Sequence, residues 1–175
     1  DQTRSSAESE QAIFEALHWT GLTWDEGPDV GGDAGPYRQS ERTDIYREYA
    51  AKLVASGHAY PCFCTPERLA ELRREQEKSG QPSGYDGHCR GRKVDAEAPH
   101  VIRFSNPVDG AVIVDDLIRG RVAFANAELD DLIIRRSDGS PTYNLTVVVD
   151  DADMGITHVI RGDDHLTNTP RQINI

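Results

Sequence analysis

At His100 the hydrophobic periodicity of the chain changes, and that change limits the folds open to it. Before this point apolar residues recur at helical spacing. Ile45, Tyr49 and Leu53 stand four apart beside Tyr46, Ala50 and Val54, which predicts a helix closed by Gly57. Upstream, Ser5 and Glu8 fit a capping box ahead of Ala12, Ile13, Ala16 and Leu17 on one helical face, with Gly21 as the stop. Thr65 followed by Pro66 reads as an N-cap with proline in the first turn, opening a charged helix through "ERLAELRREQEK". "DEGPDVGGDAGPY" and "SGQPSGYDG" carry the Gly, Pro and Asp of exposed loops. After His100, "HVIRF", "AVIVDDLI", "RVAFAN" and "DLIIRR" are short β-rich runs separated by turn residues, and "SDGS" supplies a hairpin-like turn before "PTYN". Helices, then strands, then a mixed tail predict an insert placed within an α/β domain rather than two domains in series.

A length of 175 residues suits one domain, or one domain with an insert, and 37% hydrophobic content suffices for a core. No stretch approaches the roughly 18 consecutive apolar residues of a membrane helix. The opening "DQTRSSAESEQ" lacks the apolar centre of a secretory signal. Three cysteines, two of them flanking a single residue, argue against a disulfide framework and for a reducing, intracellular setting. The net charge of -11 argues against a general nucleic-acid binder. Local arginine clusters can still grip a phosphate backbone: Arg38 with Arg42, Arg90 with Arg92 and Lys93, Arg135 with Arg136. For each cluster the alternative is a solvated face. The chain begins at Asp1 without methionine and stops at "PRQINI" inside an amphipathic pattern, so both ends read as cut.

Two groups of residues carry chemistry. Cys62 and Cys64 lie in "PCFCTP", and Cys89 lies in "YDGHCRG". Zinc takes four soft or borderline ligands in a tetrahedron, although the single residue between the first two cysteines is tighter than the usual spacing. The fourth ligand would be Tyr85 or His88; the alternative is three ordinary thiols near a helix start. The second group is "VVVDDADMGITHVIRGDDH", residues 147–165. Its "HVI", Arg161–Gly162 and "DDHLTNTP" read as strand, tight turn and helix start. Ligands of open α/β sheets sit beyond the carboxyl ends of strands, where the planar fork of Arg161 suits a carboxylate or phosphate. Gly162 would let backbone come close, and Asp163 would cap the helix. Asp150, Asp151 and Asp153 form either a magnesium cluster or, ranked higher, a solvated helix end.

"SDGSPTYNLTVVVDDADMGITHVIRGDDHLTNTPRQINI", together with "DQTRSSAESE", "DEGPDVGGDAGPYRQSER" and "DDLIRGR", resembles the glutamyl-tRNA synthetases of bacteria, which are class I aminoacyl-tRNA synthetases. The resemblance runs through essentially the whole chain. It implies a Rossmann-type α/β catalytic domain over 1–57 and 137–175, with an inserted α+β acceptor-arm-binding domain over 58–136. By the same resemblance "TYNLTVVVDDADMG" is a helix despite the strand propensity of "LTVVV", and "THVIR" is a central parallel strand. Tyr143 and Arg161 are then expected to line the glutamate pocket, with Asp164 and His165 near the ATP. Val147 stands where some members carry a substrate-touching asparagine. The aspartates before the strand need no metal. Cys62, Cys64 and Cys89 are expected to hold a structural zinc. Gly91 stands where members often have a histidine, which leaves Tyr85 as first choice for the fourth ligand and His88 as second. The implied partners are L-glutamate, ATP with Mg2+, and the acceptor arm of tRNA(Glu), in the cytoplasm and without a membrane.

The implied function is ATP-dependent glutamate–tRNA ligation in translation. The rivals are a tRNA-modifying paralogue that attaches glutamate to queuosine, and a zinc-stabilised RNA-binding module without catalysis. The family's "HIGH" signature would precede Asp1, and its lysine-bearing "KMSKS" loop would follow Ile175. The resemblance therefore implies a middle slice of the enzyme with no catalytic residue of its own. Amino-acid activation is mostly positioning and stabilisation of phosphate charge, and the acidic "DVGGDAGP" loop would repel a triphosphate. Glutamate-dependent exchange of pyrophosphate into ATP, with tRNA supplied, should stay at background for the 175-residue chain. Clear turnover would show that the phosphate-binding groups have been sought in the wrong place.

Overall fold

A strand needs a neighbour to satisfy its backbone, and the β-rich runs find theirs in antiparallel pairs. The computed structural model describes residues 6–92 and 98–175; Ser5 and Lys93 lie outside the described residues. Strands β1 (Ala59–Cys62), β2 (Val101–Phe104) and β5 (Ile133–Arg135) form an antiparallel sheet in the order β1-β2-β5. Strands β3 (Ala111–Asp116) and β4 (Gly120–Ala125) form a separate hairpin. At its turn the Asp116 carboxylate accepts the N–H groups of Ile118 and Arg119, both at 2.8 Å, while Gly120 takes φ 73°. Pro61 is tolerated inside β1 because β1 is an edge strand with no second ladder to serve.

Among the described residues five α-helices accompany the strands: α1 (Ala7–Trp19), α2 (Thr43–Ala55), α3 (Pro66–Lys78), α4 (Tyr143–Asp153) and α5 (Thr169–Asn174). The start and stop signals of α2 and α3 behave as expected. Thr65 Oγ1 accepts the Arg68 N–H at 3.3 Å ahead of Pro66, and Gly57 takes φ 79° just past α2. At α1 the cap is Ser6, which accepts from the Ser9 N–H at 3.2 Å. The expected apolar face of α1 is not buried among the described residues: Ile13 is 59% exposed. Phe14 and His18 pack on Trp24 instead, with ring centroids 5.7 and 4.8 Å apart. "DEGPDVGGDAGPY" is largely exposed, drawn together by a Gly27–Gly31 bridge and by Glu26, which accepts from the Tyr37 hydroxyl.

The core lies on one face of the three-stranded sheet. Ala59, Ile102, Phe104 and Ile134 meet Tyr46 and Ala50 of α2 and Leu145 and Val149 of α4. Alternation sends Arg103 to the opposite face, where its guanidinium lies 3.8 Å above the Tyr85 ring. Burial explains why "LTVVV" is helical: Leu145, Thr146 and Val149 supply the face that covers the sheet, and this outweighs β-branched propensity. The expected parallel strand "THVIR" is not formed. Among the described residues no strand runs beside 157–161, so the segment has no ladder partner, and Val159 and Ile160 are 57% and 98% exposed.

The crowded aspartates find an explanation inside the fold. Arg42 is buried and donates to Asp150 at 2.7 Å, Asp153 at 3.0 Å and the Pro36 carbonyl at 3.2 Å. The Tyr46 hydroxyl donates to Asp150 and the Tyr49 hydroxyl to Asp153, so the end of α4 is bolted to α2. Arg42 therefore does not form a phosphate-gripping cluster with Arg38, which pairs with Glu10 at 2.8 Å. Removing one partner from a buried pair leaves an uncompensated charge and costs about 3 kcal/mol. Arg42→Ala should lower the thermal midpoint by roughly 10 °C, whereas Tyr46→Phe should cost about 1 kcal/mol. A midpoint unchanged by Arg42→Ala in a thermal melt would mean that the pair contributes nothing net.

Candidate functional site

β1 delivers Cys62 at its end, and the turn after it delivers Cys64 just before the Thr65 cap of α3. Cys89 comes from a turn closed by Arg90 N–H to the Gly87 carbonyl at 2.8 Å, with Gly87 and Gly91 at φ 70° and 73°. The three Sγ atoms lie within 4.8 Å of one another. The Tyr85 hydroxyl stands 3.3 Å from Cys62 Sγ and 3.5 Å from Cys64 Sγ, and accepts the Cys89 N–H at 2.9 Å. No His, Asp or Glu of the described residues joins this group. The backbone N–H of His88 donates to Asp86 at 3.2 Å. Three converging thiols beside a phenol are a donor set that could hold a metal ion.

The electrostatics of these groups differ. Burial pushes the Cys64 thiol up to about 11. Burial also opposes ionisation of Cys89, but hydrogen bonds from Tyr85, the Phe63 N–H and the other two thiols outweigh it and hold Cys89 below the usual thiol value. Burial, together with hydrogen bonds to the three thiols, raises the Tyr85 hydroxyl far above the usual phenol value. Groups that went unnoticed in the sequence hold Tyr85 in place. Its N–H donates to Asp130 at 3.1 Å, and Arg103 covers its ring. "LDDL" carries no local signal for this role, because its partners lie far away in the chain.

A second concentration of polar groups surrounds the start of α4 and the tail. Arg161 donates to Gln172 Oε1 at 2.8 Å and to the Thr169 hydroxyl. Gln172 in turn donates to Asn144 Oδ1 at 3.0 Å, beside Tyr143. Tyr143 is 47% exposed, and its ring lies 6.1 Å from that of His165. His165 faces Asp164 at 3.7 Å and Asn168 at 3.3 Å. Tyr143, Arg161, Asp164 and His165 thus share one neighbourhood. Asp151 faces it too: burial and the Asp150 charge raise its carboxyl above the usual range, offset in part by Arg161.

Three local expectations are corrected here. The helix start after Gly162 is a 3-10 turn, Asp163–Asn168, without a side-chain cap. Asp163 does not cap it, because its carboxylate pairs with Arg119 at the turn of the β3–β4 hairpin. Gly162 has φ -63°, which any residue adopts; its lack of a side chain matters because a Cβ there would stand 2.5 Å from Asp164 Oδ1. The Arg90 cluster is also redirected inward, since Arg90 pairs with the buried Asp131.

Comparison with known proteins identifies the family. The family model described as tRNA synthetases class I (E and Q), catalytic domain, matches residues 1–175. A glutamate--tRNA ligase of Thermodesulfovibrio yellowstonii is 52% identical over 175 residues, and one of Coxiella burnetii is 58% identical over 176. Each alignment covers 100% of this chain and 36% of the relative, so the chain spans about a third of those proteins. Among solved structures, a glutamate tRNA ligase of Elizabethkingia meningosepticum in complex with its amino acid superposes with a TM-score of 0.86 at 38% identity. That superposition covers 99% of this chain and 37% of the other. A glutamate-tRNA synthetase of Elizabethkingia anophelis gives a TM-score of 0.84 at 38% identity, over 98% of this chain and 37% of that one. With a family model matched from end to end, this chain belongs to the class I tRNA synthetases for glutamate and glutamine and forms part of their α/β, Rossmann-like catalytic domain.

Proposed function

We propose that this chain builds the glutamate-recognising and acceptor-arm-binding part of a cytoplasmic glutamate–tRNA ligase. The observation that carries this reading is the 52–58% identity, across the full chain, with proteins that bear that name. In the proposed reaction an oxygen of the glutamate α-carboxylate attacks the α-phosphorus of ATP, and the bond to the bridging oxygen breaks to release pyrophosphate. A hydroxyl of the terminal ribose of tRNA(Glu) then attacks the acyl carbon, and AMP leaves. Mg2+ bound with ATP would neutralise phosphate charge. Residues 1–57 and 137–175 are assigned to the catalytic domain and 58–136 to the inserted acceptor-arm-binding domain. Arg161 is assigned to a glutamate carboxylate. With one N–H donated to Gln172 and another to Thr169, its guanidinium keeps N–H groups for a substrate fork. Tyr143 is assigned to the same pocket, while Asp164 and His165 are assigned to the ATP side.

We assign the cysteine site to a structural zinc held by Cys62, Cys64, Cys89 and Tyr85. Tyr85 is favoured over His88 by its hydroxyl, 3.3 Å from Cys62 Sγ. Protein purified without added zinc should contain near one equivalent. Because thiols must lose protons to ligate, zinc affinity should fall as pH falls. Metal content near zero, with all three thiols freely titratable in the native state, would sink the assignment.

Substitution tests the amino-acid pocket. In a full-length ligase carrying this segment, Arg161→Ala should raise the glutamate KM about a hundredfold, because a two-pronged charged fork on a carboxylate is worth about 3 kcal/mol. Tyr143→Phe should cost about tenfold. Equal glutamate KM values for the parent and Arg161→Ala would refute the role of Arg161.

A further inference from the structure

Helix α5 has two polar edges that face different parts of the molecule. Thr169 and Gln172, three residues apart, both accept from the Arg161 guanidinium, the latter at 2.8 Å. Gln172 also donates to Asn144 of α4 at 3.0 Å, so it fixes Arg161 relative to the residue beside Tyr143. Arg171 and Asn174, likewise three apart, turn toward the loops that follow β2 and β4 and lead into β5. Arg171 Nη1 donates to Asp130 Oδ1 at 2.7 Å. Asn174 Nδ2 donates to Asn106 Oδ1 at 2.9 Å and Asn126 Oδ1 at 3.0 Å. Asn106 is fully enclosed, and Asn126 is buried.

Asp130 is the joint. One carboxylate oxygen accepts from Arg171, and the other accepts the Tyr85 N–H at 3.1 Å, next to the three thiols. Burial pushes this carboxyl upward, but the Arg171 guanidinium and the Tyr85 N–H more than offset it, so Asp130 stays ionised below the ordinary carboxylate range. An unbroken series of polar contacts therefore runs from Tyr85 through Asp130, Arg171, the body of α5 and Gln172 to Arg161. Contacts through a short rigid element can carry coupling only if loosening one end changes the other.

We propose that α5 is a strut joining the cysteine site to the amino-acid pocket, with Gln172 and Arg171 as positioning residues. Gln172 and Thr169 hold the Arg161 fork in the orientation that meets a carboxylate. Arg171, anchored on Asp130, keeps α5 from sliding away from that fork. This inference rests on the reading that Arg161 binds glutamate. It adds that residues remote from substrate set the affinity.

The experiment uses the full-length ligase carrying this segment, with the pyrophosphate-exchange KM for glutamate and for ATP measured separately. Gln172→Leu should raise the glutamate KM about tenfold, as expected for loss of a hydrogen bond to a charged group. Arg171→Leu should raise it about fivefold by releasing α5, and Arg171→Lys should restore most of the loss. Asp130→Asn keeps an acceptor for the Tyr85 N–H while discharging the contact with Arg171. It should match Arg171→Leu, and the double variant should be no worse than either single one, as expected of partners in one interaction. The ATP KM should move by less than about twofold in all of them. Glutamate and ATP KM values rising together would overturn the strut, because that is general damage to the fold. Unchanged glutamate KM in Arg171→Leu and Asp130→Asn, with Arg161→Ala strongly impaired, would overturn the strut alone. An unimpaired Arg161→Ala would instead remove the pocket assignment on which it rests.

Discussion

The Asp131 carboxylate organises the sheet and the cysteine turn together. Its side chain is 4% exposed, a position that a charge can occupy only when every oxygen is engaged. It accepts from the Tyr60 hydroxyl of β1, from Arg90 directly after Cys89, and from the Asn106 N–H beyond β2 at 2.9 Å. Its carbonyl accepts from Arg103 of β2 at 2.6 Å. Burial and the Asp131 charge push the Tyr60 hydroxyl well above the usual phenol value, so it remains a donor at any ordinary pH. One carboxylate thus sets the spacing between two strands, the loop before a third and the turn that carries Cys89. The cysteine geometry is held on both sides, by Arg90 through Asp131 and by Tyr85 through Asp130.

A second buried acid–base pair, Arg42 with Asp150 and Asp153, does the same for the two helices that cover the sheet. Seen this way, the acidic balance of the chain is partly internal. Several aspartates that look like solvated charges are acceptors for buried tyrosines and arginines. The arginines that seemed free to grip phosphate, Arg42 and Arg90, are spent on them. In these places the polar network does work that a larger apolar core would do elsewhere. It is directional, and so fixes which residues face one another as well as how tightly they pack.

What could be read from the sequence follows the range of the interactions involved. Caps act over three or four residues, so Thr65–Pro66 and Gly57 marked their helix ends correctly. Alternating β-branched runs marked β2, β3, β4 and β5 for the same reason. β1 escaped notice because "AYPC" carries a proline and belongs only to an edge. "THVIR" carried a strand pattern, but a pattern becomes a strand only beside a partner. At the site, the three cysteines were legible from spacing and residue type, with Tyr85 and His88 left as alternatives beside them, and the convergence of the thiols is what the fold adds. The roles of Asp130, Asp131, Arg103 and Gln172 were not legible, since each depends on a partner brought close only by folding. Asp163 illustrates the limit well. Helix-start logic made it a cap, and a distant arginine took it instead.

The same long reach has a kinetic side. The β3–β4 hairpin closes through residues 117–119 and can form locally. The contacts that define the rest cannot. Tyr60 meets Asp131 across 71 residues of chain, and Arg42 meets Asp150 across 108. Loop-closure entropy must be spent before such contacts return any free energy, which places chains of this topology toward the slow end of folding rates. Until α4 docks, Arg42 and Tyr46 lack their carboxylate acceptors, and the part of the sheet face that Leu145 and Val149 cover stays wet. During synthesis that docking cannot begin before residue 150 has left the ribosome. Until then α2 has β1 to pack on, but the carboxylates that tie it to α4 are not yet there.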